Sequence, residues 1–233
     1  MNTRESATGP TAAAALDTVE ILTGPDPDAA VIWLHGLGAD GHDFEPIVPH
    51  LQWPGAPAIR YVFPHAPIRP VTLNGGMPMR AWYDIVSLSS DRNQDEQGIL
   101  TSVRQTEALI RAQRELGIDS KRIVVAGFSQ GGAIALLTAL RYREPLAGLV
   151  ALSSYLLQGE RLESQAHEAN RGLPVFVGHG SHDPMVPIAL GEETAARLRE
   201  LSYPVDWHSY AMPHSVCPEE ISDLAGWLRA RLG

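Results

Sequence analysis

Apolar residues fall along this chain in two rhythms, and their alternation predicts most of its elements. Continuous apolar runs at 30–35, 59–63, 123–126, 147–152 and 175–179 have the length of strands and no polar face. Such runs are expected of strands covered on both sides. A weaker alternation at 18–23 predicts a short edge strand, and 206–210 a last strand. Between them the spacing turns helical. Residues 94–116 carry Ile99, Val103, Leu109 and Leu116 on one face, acids at the start and Gly117 as the stop. Further helices are predicted at 130–142 and 188–201, and from Pro218 onward. There Glu219 and Glu220 fill the first turn, and Ile221, Leu224, Leu228 and Leu232 form a stripe. Short helices are expected at 44–51 and near 160–170.

Strand followed by helix, repeated, predicts an α/β fold: a mainly parallel twisted sheet with helices on both faces, in a single domain over 16–233. Residues 1–15 are polar and Ala-rich without a period, which predicts a disordered N-terminal tail. Residues 65–95 break the alternation with Pro67, Pro70, Pro78 and an Asn74-Gly75-Gly76 turn. A long irregular excursion of this kind in a compact domain is usually functional.

Composition narrows the function. The 44% apolar content of 233 residues supports a substantial core, and the net charge is −9. Of 18 basic residues only Lys121 is a lysine, and none of them cluster. Nucleic acid and anionic membrane surfaces are thereby poor partners. The one cysteine, Cys217, excludes an internal disulfide and a cysteine metal cage. The first apolar run, 31–34, is too short for a signal segment or a membrane span, so a cytoplasmic protein is expected.

Candidate chemistry sits at 127–131, Gly-Phe-Ser-Gln-Gly, between an apolar run and an Ala/Leu-rich helix. This G-x-S-x-G pattern describes a sharp strand–turn–helix bend that lifts one serine hydroxyl above the sheet. Ser129 needs a base, and the base needs an orienting acid. In the chain order Ser, acid, His, both should lie in loops after later strands. Asp183 is the only acid in 180–184, and His214 the only base in 211–215. The backbone N–H of Gln130, following the serine, is one expected oxyanion donor. Leu37 N–H, in the His35-Gly36-Leu37-Gly38 loop after the first buried run, is the other.

Longer stretches carry the same message: WLHGLGADGHDF (33–44), FPHAPIRPVTLNGGMPMRAWYDI (63–85), GFSQGGAIAL (127–136), LSSYL (152–156), GHGSHDPMVP (178–187) and MPHSVCPEEI (212–221). In these the chain resembles the small carboxylesterase/acyl-protein thioesterase family of α/β-hydrolases, also called phospholipase/carboxylesterase. The resemblance implies an α/β-hydrolase fold without a large cap domain, no cofactor and no metal. It implies hydrolysis of carboxylic esters or thioesters by Ser129, Asp183 and His214, with Leu37 and Gln130 as oxyanion donors. It further implies that 73–82 borders the acyl groove, through Leu73, Met77 and Trp82. His65 stands where many relatives have Asn. The expected function is a serine carboxylesterase acting on short- to medium-chain esters. An acyl-protein thioesterase or a lysophospholipase would use the same triad, and a non-catalytic binding protein on this fold is a remote alternative. The expected partner is a small ester or thioester, with a homodimer left open.

Blander readings compete at each position. Ser129 could be an ordinary helix N-cap, Asp183 a turn residue before Pro184, and His214 a surface histidine. Residues 36–41 fit G-x-G-x-x-G, but the acid expected about 20 residues on is missing and Pro46 interrupts the helix that should follow. Residues 179–183 contain two histidines and an aspartate, yet a structural His179 at a strand end is the better account than a metal ligand. His35 could simply brace its loop.

Overall fold

The computed structural model describes residues 15–86 and 94–233. The tail expected at 1–15 therefore lies, except for Ala15, outside the described residues, as do residues 87–93 of the irregular excursion.

Among the described residues nine strands form two sheets: β1 (Thr18–Leu22), β2 (Ala29–Leu34), β3 (Ile59–Pro64), β4 (Ile68–Val71), β5 (Met77–Arg80), β6 (Ile123–Phe128), β7 (Gly148–Leu152), β8 (Val175–Gly180) and β9 (Val205–Tyr210). Seven of them make the main sheet in the order β1-β3-β2-β6-β7-β8-β9, and β4 pairs with β5 alone. Only β1 runs antiparallel in the main sheet, on β3 at its edge. Helices α1 (Glu96–Glu115), α2 (Gln130–Arg141), α3 (Leu162–Gln165), α4 (Ile188–Glu200) and α5 (Pro218–Leu232) complete the alternation. This is the mostly parallel α/β sheet that the repeating pattern predicts.

Continuous apolar runs are explained by two cores, one on each face. Along β2, Ala30, Ile32 and Leu34 belong to the core that α1 and α2 cover. Ala29, Val31 and Trp33 point the other way, onto α5 and the Phe44–Leu51 region. Each buried Val, Leu or Ile contributes about 1.5–3 kcal/mol, so a polar residue on either face would be costly. Gly148 admits α5 close to the sheet, since a Cβ there would overlap the Trp227 ring.

Two local expectations are corrected. The helix expected at 44–51 is a 3-10 helix, Glu45–Leu51, containing Pro46 and Pro49. Proline lacks the N–H and crowds the preceding turn, so an α-helix is not sustained there. Leu116, expected on the buried face of α1, is 61% exposed, whereas Ile110 is fully buried. Leu116 is the C-cap residue, and the chain leaves the helix axis through Gly117 at φ +94°.

Parallel strands bring their carboxyl ends to one edge, where ligands bind in open α/β sheets. Leu34 of β2 aligns with Gly127 of β6, and Phe128 of β6 with Leu152 of β7. Gly180 of β8 aligns with Tyr210 of β9. The loops that follow these strands hold Leu37, Ser129, Asp183 and His214, so the topology gathers them from distant parts of the chain. The β4–β5 hairpin stands beside this edge. Thr72 N–H donates to Asp84 Oδ1 at 2.7 Å and Asp84 N–H to Asp95 Oδ2 at 3.0 Å. Asp95 also caps α1 by accepting from Gly98 N–H at 2.8 Å, tying the hairpin's base to that helix.

Candidate active site

Ser129 occupies a backbone conformation that non-glycine residues rarely adopt, φ 54° and ψ −121°. Its hydroxyl makes no capping bond to α2, which sets aside the plain N-cap reading. The bend is held on both sides. Ser129 N–H donates to Leu152 O at 2.9 Å, and Ser129 O accepts from Ala133 N–H at 3.1 Å and from the Ser154 hydroxyl at 2.8 Å. Glycine is required around it. A Cβ on Gly127 would overlap the Gly131 carbonyl carbon, and one on Gly131 would overlap the carbonyls of Leu34 and His35.

Asp183 is 8% exposed, and both of its oxygens accept hydrogen bonds. Its Oδ1 accepts from the N–H groups of Met185 and Val186, each at 2.8 Å, and its Oδ2 accepts from His214 Nδ1 at 2.6 Å. Bonding at Nδ1 turns Nε2 of His214 away from the acid. The Phe128 ring, next to Ser129 in sequence, packs on the His214 ring at 4.7 Å between centroids. Ser129 and His214 line one groove of about 660 Å³, together with Gly36, Leu37 and Gln130.

The oxyanion candidates are held by buried polar side chains. His35 Nε2 accepts from Ala66 N–H at 3.0 Å, which leaves Nδ1 to carry the proton and donate to Gly36 O at 2.7 Å. Burial lowers the His35 pKa to about 4, so the ring is neutral at physiological pH. Gly38, at φ +79°, donates its N–H to Arg80 O at 2.9 Å. Gln130 is the first residue of α2, and its N–H therefore has no partner within the helix. Its side chain accepts from Trp82 N–H and donates to Tyr83 O, both at 2.8 Å.

His179 takes a structural place. It is fully buried, Nε2 donates to Val186 O at 2.8 Å, and burial lowers its pKa, keeping the ring neutral. A Cβ on Gly191 would overlap its Nδ1, so the helix α4 closes over it. Among the described residues no group of three or more His, Cys, Asp or Glu is placed to hold a metal. The glycines of 36–41 have packing reasons as well, since a Cβ on Gly41 would come within 2.5 Å of Phe63 O. Cys217 precedes α5, with its thiol pKa pushed up by burial, which disfavours a thiolate.

Groove residues expected from the sequence divide. Leu73 lines the groove. Met77 is 61% exposed on the hairpin and stands outside it. Trp82 is a correction: it is fully buried, its indole N–H donates to His35 O at 2.8 Å, and it braces the 35–38 loop from beneath without lining the groove. An aromatic flanked by glycine- and proline-rich sequence fits either place, and only the hydrogen bonds decide. Lining residues that sequence reading missed include Tyr83, Val86, Leu157 and Met185. Met185 was within reach, because it follows Asp183 by two residues. Tyr83 and Tyr155 join their hydroxyls across the groove at 2.8 Å.

An imidazole held by a carboxylate, a strained serine and backbone donors can together take a proton from a hydroxyl and steady an oxyanion. Comparisons with known proteins identify the family. A family model described as Phospholipase/Carboxylesterase matches residues 17–232. The chain is 40% identical over 221 residues to acyl-protein thioesterase 1 of Cryptococcus neoformans, covering 88% of this chain and 92% of that protein. Among solved structures, Arabidopsis thaliana SOBER1 superposes with TM-score 0.82 at 30% identity, covering 88% of this chain and 99% of that one. Zea mays acyl-protein thioesterase 2 superposes with TM-score 0.81 at 29% identity, covering 92% and 99%. Among the described residues no helix is long and apolar enough to cross a membrane. The chain belongs to the phospholipase/carboxylesterase family of α/β-hydrolases and is a serine hydrolase.

Proposed function

We propose that this protein removes acyl groups from thioesters and carboxylic esters with Ser129 as nucleophile, His214 as general base and Asp183 as the orienting acid. The observation that carries this reading is the 2.6 Å bond from His214 Nδ1 to a buried Asp183 whose other oxygen is held by two backbone N–H groups. An acid so fixed sets the imidazole tautomer and leaves Nε2 to serve the hydroxyl that shares the groove.

In the proposed reaction Ser129 Oγ adds to the acyl carbonyl carbon while its proton passes to His214 Nε2. The carbonyl oxygen becomes an oxyanion held by the N–H groups of Leu37 and Gln130. Collapse expels the thiol or alcohol, which takes the proton from His214. Water, deprotonated by the same nitrogen, then adds to the acyl-enzyme, and the carboxylic acid leaves as Ser129 is regenerated.

Groove chemistry supports an acyl chain as the bound part. Leu73, Tyr83, Ile85, Val86, Leu157 and Met185 give it mostly apolar walls, as a hydrocarbon requires. The relative at 40% identity is named an acyl-protein thioesterase, which favours thioesters over the short-chain esters that the sequence first suggests. A fluorophosphonate probe tests the chemistry: wild type should be labelled at one residue and Ser129→Ala not at all. A separate sample of wild type, never exposed to the probe, would then be assayed on p-nitrophenyl esters of increasing chain length beside acyl thioesters. Unlabelled, folded wild type sinks the triad. Rates that peak on the shortest esters, with no thioester turnover, return the short-chain carboxylesterase reading instead.

A further inference from the structure

We propose that Ser154 and His35 are positioning residues that aim the two oxyanion-hole amides from behind. The proposal rests on the acyl-transfer reading above. In a trans peptide the carbonyl and the N–H of the same plane point in opposite directions. A hydrogen bond to that carbonyl therefore fixes where the N–H aims. The N–H of Leu37 shares a plane with Gly36 O, and the N–H of Gln130 shares one with Ser129 O. Both carbonyls accept from a buried side chain: Gly36 O from His35 Nδ1–H at 2.7 Å, and Ser129 O from the Ser154 hydroxyl at 2.8 Å. The two donors are 2% exposed each, and neither lines the groove.

Each peptide needs such a hold. Gly36 has no side chain to limit the rotation that would swing its carbonyl toward the substrate, and a carbonyl facing an oxyanion would repel it. Ser129 stands at φ 54°, and its ψ of −121° alone sets the tilt of the Gln130 amide. The helical bond from Ala133 N–H to Ser129 O is long, at 3.1 Å, and the shorter Ser154 bond adds the second constraint. Gly132 leaves the room, since a Cβ there would come 2.7 Å from Ser154 Oγ. Trp82 joins the two halves: its indole holds His35 O and its backbone N–H holds the Gln130 side chain. Accepting a bond at the carbonyl also polarises the amide, so each N–H becomes a stronger donor as well as a better aimed one.

The test uses Ser154→Ala, Ser154→Cys and wild type, each assayed with p-nitrophenyl butyrate and with a trifluoromethyl ketone. The ketone adds Ser129 to form a hemiketal whose anionic oxygen sits in the hole, so its affinity reports on transition-state stabilisation. Deleting an oxyanion donor outright costs about 10² to 10³ in kcat, and loosening one should cost about tenfold. Ser154→Ala should lose about tenfold in kcat with KM within about twofold, and Ki for the ketone should rise by the same factor. The thiol of Ser154→Cys is a weak donor, so that variant should fall between the two; it also carries the test if the alanine variant does not fold. A kcat and a ketone Ki that both stay within twofold of wild type overturn the proposal, and so does a lower kcat with an unchanged ketone Ki. Wild type that neither hydrolyses ester nor takes the fluorophosphonate label would instead refute the acyl-transfer reading.

Discussion

Glu220 should make this protein less stable as pH rises through neutrality, and replacing it by glutamine should remove that dependence. The residue lies in the first turn of α5, where an acid is ordinarily a solvated complement to the helix dipole. Here its side chain is fully buried, with Oε1 packed against Gly178 and no hydrogen-bond partner for either oxygen among the described residues. Burial, with Asp223 nearby adding repulsion, pushes its carboxyl from 4.5 up to about 8. The folded protein thus keeps the proton that the unfolded chain releases above 4.5. The unfolded state binds fewer protons across this window, so stability falls as pH rises from 4.5 to about 8. Each pH unit in the window costs about 1.4 kcal/mol, giving about 3 kcal/mol at pH 7 and about 5 kcal/mol above pH 8. Against a typical total of about 5–15 kcal/mol this is large. Glu220→Gln replaces a neutral acid with a neutral amide of the same shape. In urea denaturation its stability should match wild type within about 1 kcal/mol at pH 5 and exceed it by about 3–5 kcal/mol at pH 8.5. A gap between the two proteins that is the same at both pH values would refute a buried, protonated Glu220.

Two further substitutions probe the bend and its brace. Gly131→Ala forces a Cβ into the carbonyls of Leu34 and His35, which are backbone atoms and cannot swing aside. It should cost about 2–4 kcal/mol by urea denaturation, and a loss under about 0.5 kcal/mol would mean that the helix does not sit this close to β2. Trp82→Phe deletes the indole N–H and leaves His35 O buried without its donor. A loss of about 2–3 kcal/mol is expected in the same assay from the orphaned carbonyl and the smaller ring, and an unchanged midpoint would put Trp82 back at the groove.

Much of this fold is legible in the sequence because strands buried on both faces read as short continuous apolar runs, of strand length and rich in β-branched residues. Residues 30–35 and 123–126 read as covered strands since neither face can tolerate a polar side chain, and β2 and β6 are indeed fully buried. The elbow is legible for a local reason: Gly127 and Gly131 are forced by contacts with near neighbours in the chain and with the adjacent strand. Asp183 and His214 are legible through topology, since a parallel sheet delivers every loop after a strand to one edge. Trp82 and Met77 were misplaced because a hairpin wall has no period to separate its inner from its outer residues. Glu220 is a different kind of miss. Its spacing to Leu224 and Trp227 is that of one helical stripe, both of which are buried. That stripe alone makes position 220 readable as an inward one.

Aiming the oxyanion donors lies beyond any local pattern, and the reason is geometric. The N–H groups that matter belong to the backbone, so their residue types, Leu37 and Gln130, say nothing of their function. What orients them is a carbonyl on the far side of each peptide, held by a neighbouring ring in one case and by a hydroxyl 25 residues away in the other. The Gln130 side chain sharpens the point. It bonds Trp82 and Tyr83, 47 or more residues distant, and so holds the wall of the groove, while its own N–H has no partner within the helix. One residue thereby ties the elbow to the groove wall through its side chain and, in the proposed reaction, to the reacting oxygen through its backbone. Under the proposed reaction, substitutions on the groove wall near Tyr83 should therefore reach the hole through Gln130, and acyl-chain preference and turnover should change together.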